Sequence, residues 1–205
     1  MTYGALLDRH PIITDQIKRP ALGVVLRELE RTLDREVPGS VAEFGCYRGT
    51  TTLFLRRVLD AQASDKLLYA YDSFEGLPAK TSHDDSGAGE QFQVGELSVS
   101  KKIFLREFHN ANLKPPLTVK GWFGDLKAEQ LPPVISFAFL DGDFYQSILD
   151  CLRLVWPRLA PGGVIVIDDY QRDALPGPER AVRDYFDGRP PSVHHEHNIA
   201  ILEKT

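Results

Sequence analysis

Cysteine, basic excess and long apolar runs are all scarce in this 205-residue chain, and each scarcity excludes something. Two cysteines, Cys46 and Cys151, are too few and too unpatterned for a disulfide framework or a zinc site, and both read as small core residues. No apolar run approaches the roughly 20 residues that span a bilayer, and Met1 to Arg9 holds no basic segment followed by a long apolar core. A cytoplasmic protein with no membrane partner is therefore expected. Lysine and arginine (24) are outnumbered by aspartate and glutamate (29), for a formal charge of −5. A binder of phosphate backbone would show a basic stripe, whereas the densest basic spot, Arg56-Arg57, stands alone on a helix-like run; no nucleic-acid partner is expected.

What is present is the composition of an ordinary globular domain, 42% hydrophobic and 26% charged, at a length that suits one well-buried unit. Ala21 to Leu33 carries apolar residues at helical spacing, so residues 1–37 read as a helical N-terminal extension closed by Pro38-Gly39, with the main domain at 38–205. Strand-like runs (Val41–Gly45, Leu67–Tyr71, Leu117–Lys120, Ser136–Leu140, Val164–Ile167) then alternate with helix-like ones (Thr51–Ala61, Ser100–Asn110, Phe144–Leu159, Pro178–Phe186). This alternation predicts an α/β fold, a mostly parallel sheet with helices on both faces. Ser192–His197 and Ile199–Glu203 read as a closing antiparallel hairpin.

In such sheets ligands bind beyond the carboxyl ends of the strands, and the chemistry-bearing clusters fall there. Asp141-Gly142-Asp143 and Asp168-Asp169 each end a strand-like run. Carboxylates crowded at strand ends call for a cation or an ordered hydrogen-bond network, and oxygen ligands favour magnesium, calcium or manganese. After the first strand, Glu43-Phe44-Gly45-Cys46-Tyr47-Arg48-Gly49-Thr50-Thr51 would bring backbone close to a ligand and open a helix whose amides suit a carboxylate or phosphate. A glycine-tightened turn with no ligand explains the same residues. Asp72, 27 residues beyond Gly45, is placed to accept hydrogen bonds from a ribose diol. The first loop lacks the full dinucleotide fingerprint, which favours S-adenosylmethionine over a nicotinamide cofactor.

Five phrases in order carry a resemblance: Glu43 to Gly49, Asp72-Ser73-Phe74-Glu75-Gly76-Leu77-Pro78, Gly121-Trp122-Phe123, Leu140 to Tyr145, and Asp168-Asp169-Tyr170. From about Val41 to Phe186 the chain resembles the class I methyltransferases with their Rossmann-like sheet, and within them the macrocin-type sugar O-methyltransferases. The resemblance implies Glu43, Gly45, Tyr47, Gly49 and Thr51 around the methionine moiety, Asp72 on the ribose, and Ser73, Gly121 and Trp122 beside the adenosine. It implies magnesium on Asp141, Asp168 and Asp169, with Asp141 bordering the cofactor and serving as base. The acceptor would be a hydroxyl of a sugar or similar vicinal diol, and the enzyme a homo-oligomer. The chain departs from the family in continuing the tryptophan phrase as Gly124-Asp125-Leu126-Lys127 rather than with a Thr-Leu pair.

The remaining features have plainer readings. Asp143, one residue before a helix-like run, is read as that helix's cap rather than as a ligand. Lys80 to Val99, with Gly87, Gly89 and Gly95 among Asp84, Asp85, Glu90 and Glu96, reads as a lid or a plain connector, and its His83 as a residue that could touch the acceptor. His194, His195 and His197 alternate faces along a strand and read as structural. A nucleotide-dependent oxidoreductase and a non-catalytic S-adenosylmethionine-binding protein remain the alternatives.

Overall fold

The computed structural model describes residues 1–88 and 92–205; Gly89 and Glu90 of the expected lid lie outside the described residues. Five parallel strands form the body of the sheet: β1 (Ser40–Phe44), β2 (Leu68–Asp72), β3 (Leu117–Lys120), β4 (Ile135–Leu140) and β5 (Leu159–Ile167), the central ones apolar on both faces and the edge strand β3 partly exposed. Every residue of β4 is buried, as expected of a central parallel strand covered on both sides. The hairpin of β6 (Val193–Glu196) and β7 (Ile199–Glu203) adds to β5 in the antiparallel sense, giving the order β3-β2-β1-β4-β5-β7-β6. Strand order reverses between β1 and β4, and the carboxyl ends of those two strands flank the switch point.

Alternate residues along each strand feed opposite layers. On one face Val41, Phe137, Phe139, Val164 and Val166 meet α1 (Tyr3–Arg9), α2 (Arg19–Asp34) and α3 (Thr50–Ala61). On the other, Ala42, Phe44, Ala138, Leu140 and Ile165 meet α5 (Tyr145–Val155) and α6 (Gly177–Tyr185). A smaller cluster seats α4 (Lys101–Asn110) through Phe104 and Phe108 against Cys46, Leu53 and Phe74. Cys46 and Cys151 are both buried free thiols, in keeping with core roles.

Most sequence-based bounds differ from these by a residue or so. Two boundaries move further, the end of the helix expected at Leu159 and the start of the strand expected at Val164. The helix expected to reach Leu159 stops at Val155, where Pro157 lacks the amide to continue it; Trp156–Arg158 forms a 3-10 turn and the strand begins at Leu159. Within the helical extension expected at residues 1–37, α1 is a separate helix two turns long that starts from Thr2, whose side chain accepts a hydrogen bond from the Ala5 amide.

Candidate functional site

The loops beyond β1, β2, β4 and β5 enclose a cavity of about 790 Å³, within the range typical of small-molecule sites. Each of these four loops contains a non-glycine residue with left-handed backbone: Tyr47 (φ 44°), Phe74 (φ 54°), Asp143 (φ 58°) and Asp169 (φ 54°). Such conformations are disfavoured for L-residues and concentrate where surrounding structure holds a site in place. All the cofactor, metal and catalytic residues nominated from the sequence line the cavity except Gly49. Gly49 instead caps α3 with φ 93°, and a side chain there would press on Phe104.

The β1 and β2 loops make one half. Gly45 donates its amide to the Tyr71 carbonyl at 2.9 Å, and the next strand's Asp141 amide returns to the Phe44 carbonyl at 2.8 Å. A Cβ on Gly45 would overlap the Asp141 carbonyl oxygen, so this glycine lets the two loops pass each other. The Asp72 carboxylate accepts from the amides of Cys46 (2.7 Å), Tyr47 (3.0 Å) and Phe74 (2.6 Å), fastening the β1 loop to the β2 loop. Burial raises the Asp72 pKa against the pull of those amides. Glu43 is 1% exposed and its Oε2 has no hydrogen-bond partner. Burial, reinforced by the charge of Asp72, pushes its pKa up to about 8. A buried carboxyl of this kind is satisfied by a cationic donor entering the cavity. Thr50 and Thr51 open α3 at the same place, and Thr50 shares a 2.8 Å hydroxyl contact with Thr14 from the α1–α2 linker. The first amides of a helix lack partners within it and suit a carboxylate.

The β4 and β5 loops make the other half. Burial and mutual repulsion raise Asp141 well above the usual carboxylate range, with Asp168 its strongest charged neighbour. Burial and then Asp169 push Asp168 up to about 7. Asp143 does not cap α5 as its spacing suggested. Its left-handed backbone turns it into the cavity, where burial and the adjacent Asp169 raise its pKa strongly. The cap on α5 comes instead from Asp84, whose Oδ1 accepts from the Tyr145 amide at 2.6 Å. Hydrogen bonds to Asp84 Oδ2 from the Thr81 amide (2.8 Å) and hydroxyl (2.9 Å) complete a clip that holds the 81–86 segment to α5. His83 lies outside the cavity lining; it stacks on Tyr145 with ring centroids 4.0 Å apart.

A hard divalent cation suits the donor chemistry of this half, since Asp141, Asp143, Asp168 and Asp169 offer only oxygens. The carboxylates are nonetheless partly engaged by the protein. Asp168 accepts from the Asp169 amide at 2.8 Å, and Asp169 pairs with Arg172. Among the described residues no three His, Cys, Asp or Glu side chains form a ready metal cage.

Several lining residues escaped the sequence reading: the linker from Thr14 to Lys18, Arg172, Asn198, and the α5 residues Gln146 and Asp150. Arg172 had a signal, being three residues past Asp169 on the same loop. The linker had none, because it is neither periodic nor rich in turn residues.

Comparison with known proteins converges on one family. The family model for macrocin-O-methyltransferase (TylF) matches residues 17–191. An "8-demethyl-8-(2,3-dimethoxy-alpha-L-rhamnosyl)-tetracenomycin-C 4'-O-methyltransferase" of Streptomyces olivaceus is 33% identical over 77% of this chain and 61% of its own length. A "Mycinamicin III 3''-O-methyltransferase" of Micromonospora griseorubida is 31% identical over 78% of this chain and 65% of its own. The chain thus spans about three-fifths of the length of the curated relatives it matches. The solved O-methyltransferase NovP superposes with a TM-score of 0.75 at 26% identity, covering 90% of this chain and 79% of that one. The α/β sheet with its antiparallel closing hairpin is the fold of these class I methyltransferases, and the chain belongs to the macrocin-O-methyltransferase (TylF) family.

Proposed function

We propose that this chain is an O-methyltransferase that moves a methyl group from S-adenosylmethionine to a hydroxyl of a sugar or similar vicinal diol on a natural product. One observation carries the reading: a single cavity joins a buried Glu43, whose Oε2 has no hydrogen-bond partner, and the Asp72 loop to a cluster of aspartates. The first half suits the cofactor. Its ammonium would satisfy Glu43, its carboxylate the start of α3, its ribose Asp72, and its adenine the space beside Ser73, Gly121 and Trp122. The linker from Thr14 to Lys18, which meets the start of α3 through Thr14, walls the cofactor half, and the segment from Leu77 to Thr81 forms a wall where an acceptor would lie.

Methyl transfer from a sulfonium is an in-line substitution, so the cavity's task is to align oxygen, carbon and sulfur and to accept the hydroxyl proton. Asp141 is the proposed base, and Asp143 is a second carboxylate of the cluster with raised proton affinity. The products are the methyl ether, S-adenosylhomocysteine and a protonated carboxylate. Asp141, Asp168 and Asp169 would hold magnesium, which supplies charge stabilisation for the developing alkoxide. The test is calorimetric titration of S-adenosylhomocysteine with magnesium and with chelator, followed by a vicinal diol. Cofactor binding in both conditions with diol binding only in magnesium is expected. Failure of S-adenosylhomocysteine to bind folded protein overturns the reading. Asp141→Ala should bind S-adenosylhomocysteine normally yet lose methyl transfer.

A further inference from the structure

We infer that Gln146, held by Asp150, reads the purine edge of the cofactor and makes the site selective for adenine over a 6-oxopurine. This rests on the methyltransferase reading and adds a specificity-determining residue to it. The space for the base is bounded by the loop that follows β3. There the Gly121 amide donates to the Asp72 carbonyl at 2.9 Å, which sets Gly121 and Trp122 directly beside the residue proposed for the ribose. Phe123 anchors that loop on the core, its ring edge-on to Phe44 with centroids 5.6 Å apart. The same loop rests on α5. A Cβ on Gly124 would come within 2.9 Å of Asp150 Oδ2, and one on Gly142 within 2.8 Å of Ser147 and 3.4 Å of Phe123. α5 therefore forms the next wall of that space, and Gln146, Ser147 and Asp150 are its residues along the cavity.

A glutamine and an aspartate four residues apart on a helix ordinarily make a solvated surface pair. This pair lines the cavity instead, and its hydrogen bonds impose a pattern on it. Gln146 Nε2 donates to Asp150 Oδ1 at 2.8 Å, and Arg153 donates to the same oxygen at 3.2 Å. A carboxylate only accepts, so Asp150 fixes which end of the amide is nitrogen. One Nε2 hydrogen goes to Asp150; the amide's other edge is Oε1 with the second Nε2 hydrogen, an acceptor beside a donor. That edge matches adenine, whose 6-amino group is a donor beside a ring-nitrogen acceptor, and it is the two-point pairing by which glutamine reads this base in nucleic acids. A 6-oxopurine replaces the amino donor with a carbonyl, so an amide held in place sets acceptor against acceptor and leaves both unmatched. The purine lies at the opposite end of the cofactor from the sulfonium, and the pair therefore acts on cofactor choice and not on the reacting atoms.

The experiment titrates the full chain by calorimetry with S-adenosylhomocysteine and with S-inosylhomocysteine, its 6-oxopurine counterpart. The unsubstituted chain is expected to bind the adenosine compound about tenfold or more tightly. Gln146→Leu should bring that ratio to about twofold or less by weakening the adenosine compound alone. In Asp150→Asn the new amide can donate to Oε1 and let Gln146 turn over, so the ratio should fall there as well. Gln146 is exposed, and its replacement should leave the melting temperature unchanged. A merely structural defect weakens both ligands alike and does not move their ratio. Equal binding of the two ligands by the unsubstituted chain, or a ratio indifferent to Gln146→Leu, overturns the inference; a ratio indifferent to Asp150→Asn overturns the role given to Asp150. Failure of S-adenosylhomocysteine to bind the unsubstituted, folded chain is a separate result and overturns the methyltransferase reading itself.

Discussion

Glu43 shows how a single buried carboxyl couples stability to ligand binding. Its folded pKa of about 8 lies above the ordinary value of 4.5, so between those pH values the folded chain holds a proton that the unfolded chain has released. Stability from this group is therefore greatest below about pH 4.5, falls as pH rises, and levels off above about pH 8. The shift corresponds to about 5 kcal/mol as an upper bound. Glu43→Gln, which cannot ionise, should flatten that fall; urea denaturation at pH 6 and pH 9 reads the difference. The same variant should weaken S-adenosylhomocysteine roughly tenfold or more, through loss of a charge-assisted hydrogen bond. Gly45 carries the opposite constraint, steric rather than electrostatic. With φ 89° and the Asp141 carbonyl against its missing side chain, Gly45→Ala should cost on the order of 2–4 kcal/mol in urea melts and displace the Asp141 loop.

At the scale of elements, the clip between the 81–86 segment and α5 joins parts of the chain 61 residues apart. Arg180 donates to the His83 carbonyl at 2.6 Å, so α6 grips the same segment. Removing a buried carboxylate with three donors leaves those donors unmatched, and Asp84→Ala should cost about 2–4 kcal/mol. Asp84→Asn, which keeps one acceptor oxygen, should fall between. Hydrogen exchange at the Tyr145 amide reports the clip directly, and S-adenosylhomocysteine affinity should stay within about twofold because Asp84 does not line the cavity. This contact also explains what the sequence hid. Asp141, Asp168, Asp169 and Asp72 were legible because apolar runs announce strands and the residue at a strand's end is conspicuous. Asp143 sits where a helix cap belongs, and nothing local tells that a partner far along the chain has taken the role. Gly49 looked like a ligand-approach glycine, yet the reason for it is Phe104 on α4, a tertiary contact that spacing alone does not reveal.

Across the whole molecule, the N-terminal helices are unequal. Leu22, Val25, Leu26 and Leu29 of α2 are fully buried against the sheet, and Arg27, Arg31 and Arg35 pair with Glu196 and Glu203 of the closing hairpin. α1 contributes only Leu6 and Leu7 as buried side chains. Four fully buried aliphatic residues are worth roughly 6–12 kcal/mol, comparable to the whole stability of a domain, whereas the two of α1 are worth at most about 3–6. Deleting residues 1–36 should therefore leave a chain with no cooperative thermal transition by circular dichroism. Deleting residues 1–10 should leave a folded protein of lower melting temperature. In that shorter truncation the linker from Thr14 to Lys18 loses its upstream anchor, in which Arg19 donates to the Leu7 carbonyl at 2.6 Å. The linker is a cavity wall and Thr14 meets the start of α3, so S-adenosylhomocysteine binding should weaken even where the fold survives. Calorimetry on the folded truncation decides the matter: unchanged affinity would mean that the wall holds itself in place without α1, and weakened affinity that α1 serves the site through it.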